Sequence, residues 1–243
     1  MFSVICCYNN KRMYDINIKN KMYKVIREFD PDCELIGIDN SNNRFDSAAM
    51  ALNWGCERAK QGVIIITHQD ILVDDSFVNK LKACLIRLNN NAILGAGGIN
   101  KEGIYTNILH SEKKVYAGPY RVDKPIPVDT LDECFFLFSK SCWESYPFNE
   151  NICDGWHLYA AEMCLNARKN GNEVYVVDLP LYHYSPGRVD TAYLTTFYKL
   201  CKEYENDFRT IRTMNFTCGT RFPFAKLCYK WVRIIFRKIL KGR

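Results

Sequence analysis

The sequence predicts an α/β protein with a mostly parallel, Rossmann-like central sheet and helices on both of its faces. Three observations lead there. Short, mostly apolar runs at Phe2–Tyr8, Cys33–Ile38, Val63–Thr67 and Ala92–Ala96 read as strands, and the continuous β-branched run of Val63–Thr67 as one buried on both faces. Stretches with helical spacing of apolar residues separate them, giving a β-α-β-α-β-α-β order that right-handed crossovers turn into a parallel sheet. The first three runs lead into Asn9, Asp39 and Asp70. Loops at the carboxyl ends of neighbouring parallel strands converge on one crevice, so a ligand site is expected there.

The elements follow in order. Met13 to Phe29 carries apolar residues at 13, 14, 18, 22, 25, 26 and 29, close to helical spacing, and Asp30-Pro31-Asp32 stops it. Asp39 to Asn43 is a turn-forming loop, after which Asp46 or Ser47 is placed to cap a helix from Ala48 to Lys60. The central stretch, GVIIITHQDILVDD (62–75), joins a β-branched strand to His68, Gln69 and Asp70. Ser76 to Leu88 is amphipathic. Beyond Gly98 the regularity breaks. Residues 100–127 read as loop, 128–138 as a strand with Asp132-Glu133 at its start, and Ser139 as the cap of a short helix to Tyr146. Residues 148–155 read as loop, Trp156–Lys169 as a helix, Glu173–Asp178 as a strand and Asp190–Asp207 as a helix.

With 243 residues, 48% of them hydrophobic, the chain can bury a substantial core. No window approaches the roughly 18 uncharged apolar residues of a membrane span. The N-terminal run is short and is followed, not preceded, by Lys11 and Arg12, unlike a secretory signal. The 12 cysteines are scattered without a CxxC pair, several within apolar runs (Cys6, Cys84, Cys164). They read as free buried thiols in a reducing cytoplasm. No GxGxxG follows the first strand and no GxxxxGK[ST] occurs, so a phosphate-bearing ligand would need a cation, and Asp70 is placed to hold one.

The ordered set comprises the first strand with Tyr8-Asn9, ELIGIDNS (34–41), the helix with Asn53 and Gly55, and VIIITHQD (63–70). LDECFFLFS (131–139), FNENICDGWHLYAAEMCLNARKNG (148–171) and LYH (181–183) complete it. Over residues 2–187 this order resembles family 2 glycosyltransferases of the GT-A fold, in a bacterial branch carrying HQD where others carry DxD. The resemblance implies an inverting transfer from a nucleotide sugar, a UDP- or dTDP-sugar, to a hydroxyl of a surface glycan or lipid-linked oligosaccharide. It implies a donor side of Tyr8, Asn9, Asp39, Asn53, His68, Gln69 and Asp70, with Mn²⁺ or Mg²⁺ held by Asp70 and His183. It implies an acceptor side at Trp156, His157, Tyr159 and Glu162. Two positions depart from the family: His68 replaces the first acid of DxD, and the usual base position is Ala160. A replacement base must be a carboxylate near the acceptor. Asp154, before the expected helix start, is the first candidate, and Glu133 with its neighbour Asp132 the next. The competing readings are a catalytically impaired nucleotide- or carbohydrate-binding relative and a nucleotidyltransferase.

The net charge of +6 is unevenly spread. From Phe208 onward lie ten of the 33 Lys and Arg and none of the 27 Asp and Glu, leaving the rest of the chain at −4. An acidic body argues against nucleic-acid binding. The organisation expected is a GT-A domain over 1–207, with a nucleotide-sugar half to 98 and an acceptor half from 99, then a basic tail over 208–243. In the tail, basic residues recur every three or four positions opposite Phe224, Trp231 and Ile235, the pattern of a helix lying in an anionic membrane surface. The enzyme is then expected to be cytoplasmic and peripheral on the inner face of the cell membrane. The alternative is a tail helix that packs on the domain or pairs two subunits as a homodimer.

Overall fold

The four apolar runs become strands of one seven-stranded sheet. The computed structural model describes residues 1–88, 92–110, 114–185, 187 and 189–241, with side chains as far as Ile234 in the last helix. The chain begins with β1 (Phe2–Tyr8), α1 (Lys11–Tyr14), a π-helical stretch (Asp15–Met22) and α2 (Tyr23–Phe29). Next come β2 (Glu34–Asp39), α3 (Ala48–Arg58), β3 (Val63–Thr67), β4 (Ile71–Val73), α4 (Phe77–Leu88), β5 (Ile93–Gly95) and β6 (Gly97–Ile99). Then follow β7 (Ile104–Thr106), β8 (Ile108–His110), β9 (Val115–Tyr116), β10 (Ile126–Pro127), β11 (Thr130–Leu131), β12 (Phe135–Ser139) and α5 (Lys140–Ser145). The chain continues with α6 (Tyr159–Lys169), β13 (Val174–Val176), β14 (Leu181–His183), α7 (Thr191–Glu203), β15 (Thr210–Thr213), β16 (Phe216–Gly219) and α8 (Phe224–Lys241).

The large sheet runs β10-β13-β5-β12-β3-β1-β2. Strands β1, β2 and β3 are parallel, as are β5 and β13. β12 enters antiparallel between β3 and β5, and β10 lies antiparallel at one edge. Two core clusters, one on each face, divide β12 by the two-residue period of a strand. Phe136 and Phe138 join the cluster that includes α3, α6 and α7, while Phe135 and Leu137 join the one that includes α2 and α4. Ser47 caps α3, its Oγ accepting from Met50 N at 3.2 Å. Gly55 costs that helix about 1 kcal/mol of propensity, but a Cβ there would stand 2.8 Å from Ile5 Cγ2. Only glycine lets α3 come this close to β1.

Four features differ from the sequence reading. The first helix widens to π geometry, which holds Tyr14, Ile18, Met22 and Ile26, spaced four apart, on one buried stripe. The stretch 100–127 carries strands β7 to β10. Residues 128–138 break into β11 and β12 at Asp132-Glu133-Cys134, where Asp132 Oδ1 accepts from Cys134 N at 2.8 Å. Finally, 208–219 is not tail. β15 and β16 form a hairpin whose Ile211 is buried, and Arg212 pairs with Asp129 at 2.8 Å. The body therefore extends to Thr220, which is itself buried, past the boundary expected at 207, and the basic tail reduces to α8. Its side chains beyond Ile234 lie outside the described residues.

Candidate active site

The HQD turn is held in place by groups far away in sequence. His68 N donates to Cys134 O at 2.9 Å, and the buried Asn17 of the π-helical stretch donates to Gln69 O at 3.2 Å. Gln69 Oε1 accepts from Asn9 N and Asn10 N at 3.1 and 2.9 Å, while its Nε2 donates to Asn9 Oδ1 at 2.8 Å. Gln69 thus clamps the β1 loop onto the turn. β4 then pairs with β14, setting His183 opposite Ile71, and this pairing brings His183 to Asp70.

His68, Asp70 and His183 offer ligand atoms that all lie within 4.8 Å of one another. His183 Nε2 is 3.3 Å from Asp70 Oδ1, yet neither ring nitrogen makes a well-directed hydrogen bond among the described residues. Ser185 donates to Asp70 Oδ2 through both its backbone N–H and its hydroxyl. Burial alone would raise the Asp70 pKa, but His183, Ser185 and His68 outweigh it and hold the carboxyl well below its usual range. Burial, with His183 close by, lowers His68 to about 4, so it stands neutral. For His183 burial works against the charged form, but Asp70 and Asp132 overcome it and the pKa rises. A neutral imidazole, an ionised carboxylate and an unsatisfied buried imidazole are a donor set that fits a divalent cation.

His110, in the stretch read as loop, went unnoticed in the sequence. Pairing of β8 with β14 sets it beside His183, ring centroids 5.1 Å apart and edge-on, with its buried Nε2 unpartnered among the described residues.

Two cavities meet at this cluster. One of about 360 Å³ is lined by Tyr8, Asn9, Gln69, Asp70 and Tyr159 among others. The other, about 460 Å³, is lined by His110, Asp132, Glu133, His157, His183 and Tyr193 among others. His68, Trp156 and Ser185 line both. His68 Nε2 and the Tyr159 hydroxyl share a 2.9 Å hydrogen bond.

Glu133 sits in the β11–β12 break with its carboxyl against the start of α6, near the N–H groups of Leu158 and Tyr159. Its Oε1 is sealed and without a partner among the described residues. Burial, reinforced by Asp132, pushes its pKa from 4.5 up to about 8 despite those two donors.

Four expected site residues lie elsewhere. Asn53 spends its amide bracing the 148–150 loop: Nδ2 donates to Phe148 O and Glu150 Oε1, and Oδ1 accepts from Phe148 N and Trp143 Nε1. It lines neither cavity. Glu162 is wholly buried on the core side of α6, accepting from Tyr204 Oη at 2.7 Å, and so does not face an acceptor. Asp154 is not a helix cap, because α6 starts at Tyr159; it is 60% exposed and pairs with Lys199 at 2.7 Å. Asp39 closes an Asx turn, its Oδ1 accepting from Ser41 N and Oγ, next to Tyr8 in the sheet register but outside the cavity lining.

Residues 3–208 match the sequence pattern described as "glycosyltransferase like family". The chain belongs to this family. A protein of Fuscovulum blasticum named "ATP synthase subunits region ORF 6" is 26% identical, the match covering 86% of this chain and 84% of that one. Among solved structures, residues 1-349 of S. aureus TarS in complex with UDP-GlcNAc match with a TM-score of 0.55 at 11% identity, over 84% of this chain and 65% of that one. GalNAc-T7 with UDP, GalNAc and Mn²⁺ matches with a TM-score of 0.51 at 10% identity, over 84% of this chain and 48% of that one. The glycosyltransferase-like chain thus has the GT-A fold, and it spans less than two thirds of these solved chains.

Proposed function

We propose that this glycosyltransferase-like protein carries out metal-assisted, inverting transfer of a sugar from a UDP- or dTDP-sugar to a hydroxyl of a surface glycan, presented as a lipid-linked oligosaccharide. The observation that carries this reading is the His68–Asp70–His183 cluster at the junction of two cavities. The cocrystallised UDP-GlcNAc of TarS and the UDP and Mn²⁺ of GalNAc-T7 support it. Bound at the cluster, Mn²⁺ or Mg²⁺ would neutralise the diphosphate and the charge growing on the leaving nucleoside diphosphate. Two imidazoles to one carboxylate favour Mn²⁺, since Mg²⁺ is bound through oxygen.

The chain's own residues divide the remaining work. Tyr8 and Asn9 border the donor cavity, and Gln69 fixes their loop. Trp156, 44% exposed, stands between the cavities and offers its ring face to a sugar. The acceptor hydroxyl enters the second cavity and attacks the anomeric carbon. Its proton passes to the Glu133 carboxylate as the bond to the diphosphate breaks. Glu133 thereby fills the role that Ala160 cannot.

Calorimetry with UDP, with and without Mn²⁺, tests the donor site. Wild type should bind UDP more tightly with Mn²⁺, and Asp70→Ala should lose that enhancement. Equal metal-dependent binding by both proteins would remove Asp70 from the site.

A further inference from the structure

α8 docks on the body by one border, and its apolar face is left in solvent. Leu227 is buried and Ile234 packs against the core that includes α7. Trp231 Nε1 donates to Thr191 O at 3.4 Å, Lys226 Nζ donates to Thr217 O at 2.7 Å, and Lys230 lies 4.2 Å over the Phe216 ring. Phe224 is nevertheless 69% exposed, Tyr229 65%, Val232 52% and Trp231 41%, and Phe222 just before the helix is 83% exposed. Had the helix served only to close the core, these are the side chains it would have buried.

We infer that this face docks on an anionic lipid bilayer. The partner follows from charge complementarity. Exposed Arg221 lies over the Phe222 ring and exposed Arg233 over the Tyr229 ring, and the segment from Arg221 carries eight cations without an acid. An aromatic face beside a cationic one suits the headgroup boundary of a membrane, where rings insert and ammonium and guanidinium groups meet phosphate. No helix among the described residues is long and apolar enough to cross a membrane, so α8 lies in the surface. The attachment also orients the site. Trp231 bonds the first residue of α7, whose preceding Asp190 pairs with His157 at 3.4 Å, and Tyr193 two residues on lines the second cavity. The inserted face therefore sits beside the cavity assigned to the acceptor. A lipid-linked acceptor follows only if the transferase reading holds; attachment itself does not depend on it.

Cosedimentation of the full chain with vesicles, without donor or acceptor, tests the attachment separately from turnover. Wild type should pellet with vesicles carrying phosphatidylglycerol, release in high salt, and ignore pure phosphatidylcholine. Each cation near the surface is worth about fivefold in affinity, so Arg221→Gln with Lys226→Gln and Arg233→Gln together should weaken binding about a hundredfold. Phe224→Ser with Tyr229→Ser should also weaken it, and unchanged melting temperatures show that the variants fold. Failure of wild type to pellet, or equal pelleting with neutral vesicles, overturns the inference. So does undiminished binding by the triple variant. Preferential binding of single-stranded RNA, or self-association through this face while vesicles are ignored, overturns it in favour of another partner.

Discussion

Replacing Glu133 with Gln should stabilise the fold and remove turnover, and both effects should depend on pH. The pKa of Glu133 rises from 4.5 to about 8, so between those values the unfolded chain releases a proton that the native protein retains. Stability contributed by the neutral carboxyl is complete below 4.5, is lost progressively as pH rises, and is gone above about 8. At about 1.4 kcal/mol per unit, the rise sets a ceiling of about 5 kcal/mol. The residue as a whole is only half-buried, and water reaching part of it brings the expected effect to roughly 2–4 kcal/mol. Glu133→Gln keeps the shape and an acceptor oxygen for the Leu158 and Tyr159 N–H groups but cannot ionise. Urea denaturation should find the two proteins alike at pH 5 and the variant more stable by that amount at pH 9. Turnover should fall about 10²-fold or more for loss of a general base. Wild-type kcat/KM should rise with pH toward a plateau above about 8, as the carboxylate forms. Parallel stabilities across the whole range would refute the burial argument. Near-wild-type turnover would refute the base.

Two further substitutions separate scaffold from site. Asn53→Ala removes four hydrogen bonds to the 143–150 region; chemical denaturation should show a loss of about 2–4 kcal/mol, with UDP affinity measured by calorimetry unchanged. Asp154→Asn breaks only an exposed pair with Lys199; stability should change by less than about 1 kcal/mol, and steady-state assays should find near-wild-type turnover.

What the sequence disclosed depended on how local the cause was. β1, β2, β3 and β5 are mostly apolar runs, a signal confined to the segment itself, and the three strand-end loops were legible with them. The cap of α3 was likewise legible to within one residue, as Asp46 or Ser47, needing only the helix that follows. β4, β8 and β14 have three residues each and exist only through pairing between segments up to 112 residues apart. That pairing makes the His183–Asp70 contact and places His110, which explains why family resemblance pointed to the first and nothing pointed to the second. The hairpin at 210–219 was hidden for the opposite reason: its positive charge merged it with α8, although Asp129 neutralises Arg212 inside the body.

The start of α6 joins these strands of evidence. Apolar periodicity carried the helix back to Trp156, but Leu158 sits in the left-handed region at φ 67°, a costly conformation for a branched side chain, and gives the helix no side-chain cap. The N–H groups of Leu158 and Tyr159 instead lie near the carboxyl of Glu133, 25 residues before Leu158 in the chain. A carboxylate at a helix N-terminus is favoured by the exposed donors and by the macrodipole, which partly offsets the burial of this one. Trp156 and His157 lie before the start of this helix and in the cavity linings. Glu133 thus stands near the helix start and in the lining of the second cavity, where the proposed function makes it the proton acceptor. An acid at position 160 would have pointed into a core that Ala160 fills with no exposed surface, so its absence accompanies a site whose charge comes from the strand break.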